Sequence, residues 1–256
     1  MGLPPAGLTA RLGATFRALA GRAPAGWWAA PGRVNVIGDH TDYNEGFALP
    51  MAIDRHVLVA GASREDGQVK VHSSQRGHAA FRVGDLAPGS VTGWAAYVAG
   101  VVWALRGAGH DVGGADLALD STVPAGAGLS SSAALECAVC LALCDLYDLR
   151  LTAAEVARLA HRAENDFVGM PCGVMDQLAS THGRDGSVLL LDARALTVHP
   201  EPFDLHGAGL AVAVIDTRVE RRLVEGAYAE RRSACEAAAR TLGVRALREV
   251  TAEGLD

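Results

Sequence analysis

The 256-residue sequence lacks the features that mark a membrane protein, a nucleic-acid-binding protein or a secreted protein. No apolar run reaches the length of about 20 residues that a membrane-spanning helix needs. The basic residues form no block and the formal net charge is −6, so neither nucleic acid nor an anionic membrane is expected as a partner. The N-terminus has no signal-peptide core with a cleavage site, so we expect a cytoplasmic location.

Cysteine is also scarce, with five residues, an odd number. Cys137, Cys140 and Cys144 recur at the spacing i, i+3 and i+7 of a helix, a pattern that would also suit a metal-binding face. Their neighbours are alanine, valine and leucine, and no histidine lies nearby. Since free cysteine packs as a small hydrophobic residue, we predict core thiols.

Strand and helix patterns are intermixed along the chain without a regular βαβ rhythm, which predicts an α+β fold. Thr152 and Glu155 form a capping box before a helical stripe, and another helix is predicted to begin near Cys172. We expect a first unit over residues 1–200 and a second over 201–256. The strands are predicted at 56–62, 69–73, 79–83, 116–123, 187–192 and 210–216, and the longer helices at 8–20, 94–105, 131–146 and 220–242.

The run 124-PAGAGLSSSAALECAV-139 places two glycines and three consecutive serines between a predicted strand and a predicted helix. Neither residue type favours a core helix, but both suit a turn at which the first amides of a helix face an anion. The run is not a Walker A loop, because no Gly-Lys-Ser/Thr follows the glycines. One serine would suffice as a helix cap, so three favour phosphate binding.

A second polar stretch, 32-GRVNVIGDHTDYNEGF-47, lies between segments that are predicted to be buried. It contains Arg33, Asn35, Asp39, His40, Asp42, Tyr43 and Asn44. Carboxylates, a histidine and amides can together bind a polyol, because each hydroxyl both donates and accepts hydrogen bonds. The mixed donor set gives no clean metal-coordination pattern, so hydroxyl binding is favoured over a metal site or a simple turn.

The third stretch is 161-HRAENDFVGMPCGVMDQLAS-180. Glu164 is predicted on the last turn of a helix, where the helix dipole disfavours a carboxylate, and this position suggests a cation partner. Asp176 is a lone carboxylate among Val174, Met175 and Leu178. Such a group is either an exposed cap or a placed base, and the residues alone leave both interpretations open.

Taken together, these stretches resemble the galactokinases of the GHMP sugar-kinase family. The resemblance is carried by residues 32–53, 124–135, 164–180 and 228–236, and it runs from about residue 10 to the end of the chain. It implies a two-lobed α+β GHMP kinase fold. It also implies ATP-dependent phosphorylation of the anomeric hydroxyl of galactose, giving galactose 1-phosphate and ADP, by a protein that we expect to be a monomer.

The resemblance further implies the site residues. Asp176 would accept the proton of the anomeric hydroxyl, with Arg33 as its electrostatic partner, and Ser132 and Glu164 would hold Mg²⁺. The sugar would contact Asp39, His40, Asp42, Gly173, Asp176 and Tyr228. The phosphates of ATP would be bound by Pro124, Gly126, Gly128, Leu129, Ser130, Ser131, Ser132 and Ala133.

Two departures from the family pattern keep other interpretations open. Asp39 stands where the family usually has glutamate, which retracts the carboxylate by about one C–C bond, ~1.5 Å. A kinase for another sugar, such as N-acetylgalactosamine or arabinose, is therefore one alternative, and a non-catalytic galactose-sensing regulator is another. The family's third, glycine-rich motif is absent, so we expect the C-terminal lobe to be truncated and the chain to be less stable than an intact relative.

Overall fold

The computed structural model describes residues 6–216 and 221–251. Its main sheet has five strands in the spatial order β1-β3-β6-β4-β5. These strands are β1 (Gly26–Asn35), β3 (Pro50–Arg64), β4 (Gln68–Ser73), β5 (Gly77–Arg82) and β6 (Gly114–Ser121). All neighbouring pairs are antiparallel except β4 and β6, which are parallel.

A smaller sheet and six helices complete the described part of the chain. The smaller sheet has the order β2-β7-β8, with β2 (Phe47–Ala48), β7 (Ser187–Asp192) and β8 (Thr197–Pro202). The helices are α1 (Ala6–Ala20), α2 (Ala95–Gly107), α3 (Ser131–Leu146), α4 (Ala153–Arg162), α5 (Met175–His182) and α6 (Arg221–Leu242). A π-helical turn, Ala163–Val168, continues α4.

The main sheet is apolar on both faces because helices cover both faces. Leu58 and Ala60 of β3 pack with Phe16 of α1 on one side. Val57 and Val59 belong to the larger core on the other side, which also contains side chains of α2, α3 and α4. A strand covered on both faces has a continuous apolar run rather than an alternating pattern, and β3 contains such a run. The strand prediction for 56–62 is therefore confirmed.

Helix α3 lies inside the larger core. Cys137 and Cys140 are fully buried and Cys144 is 5% exposed. All three thiols are free, and the described residues contain no group of three or more potential metal ligands. Burial raises the pKa of the Cys137 thiol well above its usual value. The prediction of core thiols is therefore confirmed.

The local signals at helix ends are also confirmed. The Thr152 hydroxyl accepts a hydrogen bond from the Glu155 amide at 3.2 Å, and the Glu155 carboxylate accepts one from the Thr152 amide at 2.7 Å. Helix α6 ends before Gly243, whose φ of +67° is the left-handed conformation of a glycine helix stop. The predicted α+β class is confirmed, whereas the division into residues 1–200 and 201–256 stays a prediction.

The strand predicted at 210–216 is wrong. No strand of the described residues pairs with this segment, and its apolar side chains are exposed, from 46% for Val212 to 84% for Ile215. A continuous apolar run such as LAVAVID forms a buried strand only where other elements cover it. No described helix is long and apolar enough to cross a membrane.

Candidate active site

Arg33 and Asp176 lie in direct contact, although they come from β1 and from the first turn of α5. Arg33 Nη2 lies 2.5 Å from Asp176 Oδ1, and Nε donates to the same oxygen at 2.7 Å. The side chains are 14% and 23% exposed, so the pair is shielded but open on one side. Charge-assisted hydrogen bonds of this kind fix both position and orientation.

The loop before α3 joins this pair. Arg33 Nη1 donates to the carbonyl of Gly128 at 2.7 Å, and the Ser130 hydroxyl donates to Asp176 Oδ2. Ser130 has a left-handed φ of +55°, a conformation that is uncommon outside glycine and recurs at functional sites. The sequence assigns Ser130 to the ATP phosphates, but its hydroxyl is hydrogen-bonded to the predicted base.

The N-terminus of α3 provides an anion-binding surface. The amides of Ser131, Ser132 and Ala133 have no acceptor within the helix, and the helix dipole is positive at this end. Gly126 and Gly128 have φ of +86° and +75°, which favour glycine, and no atom lies within 4 Å of the place a Cβ would occupy at either. The loop therefore leaves open space in front of the helix.

Three cavities lie in a row along this loop. The first, of about 360 Å³, lies beside α2 and is lined by Gln75, Arg76, Trp94, Tyr97, Pro124, Ser131, Ser132 and others. The middle cavity, of about 190 Å³, is lined by Arg33, Tyr97, Gly128, Ser130, Ser132, Glu164, Asp176, Tyr228 and others. Tyr97 and Ser132 line both cavities, so the two are adjacent. Gly126, Leu129 and Ala133 belong to the same loop and helix without lining these cavities.

The third cavity, of about 200 Å³, brings together every residue that the sequence assigns to the sugar. Its lining contains Asp39, His40, Asp42, Gly173, Asp176 and Tyr228, together with Arg33, Cys172 and Met175. Arg33, Asp176 and Tyr228 also line the middle cavity, so the Arg33–Asp176 pair stands where the two spaces join. Sequence reasoning missed Cys172 and Met175 because neither has a side chain typical of a sugar site.

Local hydrogen bonds orient the acidic residues of the third cavity. Asn35 Nδ2 donates to Asp39 Oδ1 at 2.8 Å. A Cβ at position 173 would come within 1.8 Å of Asp42 Oδ2, so glycine lets the Asp42 carboxylate keep its place. Burial first, and then the charge of Asp176, raise the pKa of Asp42.

Tyr228 brings α6 to this cavity. Its hydroxyl accepts a hydrogen bond from the Gly173 amide at 3.4 Å, and its ring lies 5.5 Å from the rings of both His40 and Tyr43. The Tyr43 hydroxyl in turn lies 2.7 Å from His40 Nδ1. The polar stretch of residues 32–47 and the distant helix α6 therefore form one wall.

Glu164 lies in the π-helical turn, directly after α4 rather than on its last turn, and is only 6% exposed. Gln177 Nε2 donates to its Oε2 at 2.6 Å. Burial and Asp176 raise the pKa of Glu164, while a hydrogen bond with Ser132 acts in the opposite direction. Mg²⁺ usually takes one or two protein oxygens and completes its shell with phosphates and water. A buried carboxylate beside a hydroxyl, facing open space, fits that requirement.

A second buried carboxylate lies next to Glu164 and was missed from the sequence. Glu136 of α3 is fully buried, and its Oε1 has no hydrogen-bond partner among the described residues. Gln177 is also fully buried, and its Nε2 donates to Glu136 Oε2 at 3.4 Å. One acidic residue inside the apolar run AALECAV was the available indication of this group.

Two family models match the chain. The model of the GHMP kinases N terminal domain matches residues 96–184, which include the serine loop, Glu164 and Asp176. The model described as the galactokinase galactose-binding signature matches residues 14–63, which include Arg33, Asp39, His40 and Asp42.

Individual relatives agree with these models. A galactokinase of Streptomyces coelicolor is 51% identical over 96% of this chain and 64% of its own length. A galactokinase of Mycobacterium bovis is 47% identical over 89% of the chain and 63% of its own. The crystal structure of Lactococcus lactis galactokinase complexed with galactose matches with a TM-score of 0.78 and 29% identity, over 96% of this chain and 65% of that chain. The chain thus spans less than two thirds of the length of these relatives.

Proposed function

We propose that the chain is a galactokinase of the GHMP kinase family and that it transfers the γ-phosphoryl group of ATP to the anomeric hydroxyl of galactose. The observation that carries the proposal is the position of the Arg33–Asp176 pair between the middle and third cavities. A phosphoryl acceptor on one side and a donor on the other would meet at this pair.

Asp176 is the proposed base. A carboxylate offers about four lone-pair sites, so the bonds from Arg33 and Ser130 leave capacity to accept the proton of a sugar hydroxyl. That proton passes to Asp176 as the sugar oxygen bonds to phosphorus and the bond from phosphorus to the ADP oxygen breaks. Arg33 balances the charge of the carboxylate and lies close enough to interact with the transferred phosphoryl group.

The nucleotide is proposed to occupy the first and middle cavities. The rings of Trp94 and Tyr97 offer an apolar surface for the base, and the amides at the start of α3 face the phosphates. Ser132 and Glu164 would hold Mg²⁺, which neutralises phosphate charge when it is bound. Phosphoryl transfer depends mainly on such positioning and charge neutralisation, so a preformed row of cavities is what the reaction needs.

Galactose is the proposed acceptor in the third cavity. The relative solved with galactose supports this choice, and so does the match to the galactose-binding signature. Asp39 accepts a hydrogen bond from Asn35, and its side chain is shorter than the glutamate usual in the family. A kinase for N-acetylgalactosamine or arabinose is therefore the alternative that a sugar panel has to separate.

The test is ADP release by the 256-residue chain with Mg-ATP and a panel of galactose, N-acetylgalactosamine and L-arabinose. We expect galactose-dependent release that Asp176→Asn abolishes. Asp166→Asn is the matched control, because Asp166 is 58% exposed and pairs with Arg162 away from the cleft. It should leave release unchanged.

The other outcomes are equally informative. Release with a different sugar alone would replace galactose in the proposal. Galactose binding without release in the presence of Mg-ATP would favour a galactose-sensing regulator. If the chain neither binds galactose nor releases ADP, the proposed function is contradicted.

A further inference from the structure

A fourth cavity, here called the rear cavity, lies behind the third one. It has a volume of about 330 Å³ and is lined by three basic residues, Arg158, His161 and Arg232. It shares Asp42 and the segment 172–173 with the third cavity, so this segment separates the two spaces. None of the three basic residues has a part in the proposed phosphoryl transfer.

Arg158 contributes an exposed guanidinium, which also interacts electrostatically with Glu155 of the same helix. It lies on α4, and it donates no hydrogen bond to, and forms no ion pair with, any other residue that the structure describes. The planar guanidinium has five N–H groups in a fixed fork that matches the oxygens of a phosphate. A guanidinium whose N–H groups make no hydrogen bond to the described residues, at the wall of a cavity, is suited to bind an anionic ligand.

Arg232 contributes a second guanidinium from α6. Its Nε donates to Glu236 at 3.1 Å, and its Nη1 donates to the carbonyl of Cys172 at 3.1 Å and to Asn165 Oδ1 at 3.5 Å. Its Nη2 donates to no residue within the described part of the chain. Arg232 is thus half satisfied by the protein, and its remaining N–H groups are available to a ligand beside Arg158.

The remaining walls suit a small organic molecule rather than a bare ion. Tyr43, Val174 and Leu196 add aromatic and apolar surface. Asp42 is the one acidic residue of the lining, and its Oδ2 accepts a hydrogen bond from the Met175 amide at 3.3 Å. The rear cavity, at about 330 Å³, is larger than the third cavity, at about 200 Å³, so a phosphorylated monosaccharide has room.

The wall between the two cavities is held from the rear side. The Cys172 carbonyl can only accept, so His161 Nε2 carries the proton and donates to it at 3.0 Å, alongside Arg232 Nη1. The next residue, Gly173, contacts Tyr228 on the front side. A ligand that draws Arg232 away from Cys172 therefore loosens the segment that lines the third cavity.

We propose that the rear cavity binds the phosphate ester of a monosaccharide through Arg158 and Arg232, and that its occupation weakens sugar binding in the third cavity. The two sites share Asp42, Cys172 and Gly173, so the proposed effect passes through this shared wall and is distinct from direct competition by an ester that enters the third cavity. Linkage requires the coupling to be reciprocal: the sugar weakens binding of the phosphate ester by the same factor.

The experiment is calorimetric titration of galactose 1-phosphate into the 256-residue chain already saturated with galactose and Mg-ADP. Those two ligands fill the other cavities, so binding that remains belongs to a further site. We expect such binding, and we expect Arg158→Gln to weaken it about tenfold or more, since a charged hydrogen-bonding partner is lost. Arg150→Gln is the control, because Arg150 is 89% exposed and pairs only with Asp148.

Inorganic phosphate in the same titration separates the parts of the ligand. It should bind more weakly than the ester, and its binding should show the same dependence on Arg158. Absence of binding to the saturated chain, or equal binding by wild type and Arg158→Gln, overturns the site. Arg158→Lys keeps the charge but not the planar guanidinium. Its affinity for the ester should lie between those of wild type and Arg158→Gln.

The coupling is measured separately as the Kd for galactose with and without the ester. A higher Kd in wild type that returns to the ligand-free value in Arg158→Gln supports the coupling, and an unchanged Kd in wild type refutes it. Galactose and Mg-ADP binding are titrated first, on their own. If galactose or Mg-ADP does not bind on its own, the proposed function is contradicted. The dependence of ester binding on Arg158 concerns only the rear cavity.

Discussion

Gln177 donates a hydrogen bond from Nε2 to Oε2 of Glu164 at 2.6 Å, inside the wall of the cleft. Gln177 is fully buried and follows Asp176 in the sequence, so α5 presents the proposed base to the cleft and an amide to the neighbouring carboxylate. The orientation of Glu164 therefore depends on a residue that does not itself line the cleft.

Replacing Gln177 tests this dependence. Gln177→Leu keeps the approximate shape and leaves the buried Glu164 without its donor, so the free energy of unfolding should fall by about 1–3 kcal/mol. Gln177→Glu adds a third carboxyl to the buried cluster. The free energy of unfolding of this variant should therefore fall further below that of wild type at pH 8 than at pH 5. Urea unfolding at both pH values measures this. Equal losses by the two variants at pH 8 would argue against the charged cluster.

Glu136 should make stability depend on pH. Burial first, and then Glu164, raise its pKa well above the ordinary value of 4.5. The folded protein therefore keeps a proton that the unfolded chain has already released, and stability falls as pH rises from about 4.5 towards the folded-state pKa. Glu136→Gln removes this group at nearly constant shape, so Tm should fall less from pH 5 to pH 8. Parallel Tm profiles for the two proteins would disprove this assignment.

Gly173→Ala should impair sugar binding. A Cβ at this position would lie 1.8 Å from Asp42 Oδ2, so the carboxylate has to move out of its place in the third cavity. We expect galactose binding to weaken by at least about tenfold, the effect of losing one charged hydrogen bond. Gly84→Ala is the control, because nothing lies within 4 Å of its Cβ position. Calorimetry with galactose compares them, and wild-type affinity in Gly173→Ala would refute the steric argument.

The ion pair between Arg248 and Asp192 should contribute to stability in a defined pH window. Arg248 Nη1 lies 2.5 Å from Asp192 Oδ1, and this contact lowers the pKa of Asp192 to about 2 from 3.8. A carboxylate with a depressed pKa stabilises the fold above its unfolded pKa, and the contribution is lost as pH falls through the folded value. Arg248→Gln should thus be less stable than wild type at pH 7, with the difference vanishing between pH 4 and pH 2. Denaturant unfolding across that range measures it, and Arg150→Gln should show no such window.

The sequence predicted the parts of the site whose chemistry is unusual for their surroundings. Three serines at a helix start and an Asp-His-x-Asp cluster in a turn do nothing for a core, so their presence indicated function. Cys172 and Gln177 were not found, because a neutral side chain near a cleft resembles any other buried residue. Their roles follow from a packing arrangement that no local pattern encodes.

An apolar run alone did not decide which segments form strands. Residues 56–62 and 210–216 have similar apolar runs, yet β3 is covered on both faces while Ile215 is 84% exposed. Burial depends on which elements meet in space, and the order β1-β3-β6-β4-β5 places β6 beside strands distant in sequence. Periodicity within a segment carries no information about that order.

The separation of Arg33 from Asp176 along the chain has a consequence for biosynthesis. The two residues are 143 positions apart, so at about 5–20 residues per second a ribosome adds Asp176 roughly 7–30 s after Arg33. During that interval β1 and the serine loop can already exist without the carboxylate that joins them. The Arg33–Asp176 pair is therefore assembled late, when α5 docks, and nascent chains that end before α5 lack the proposed base.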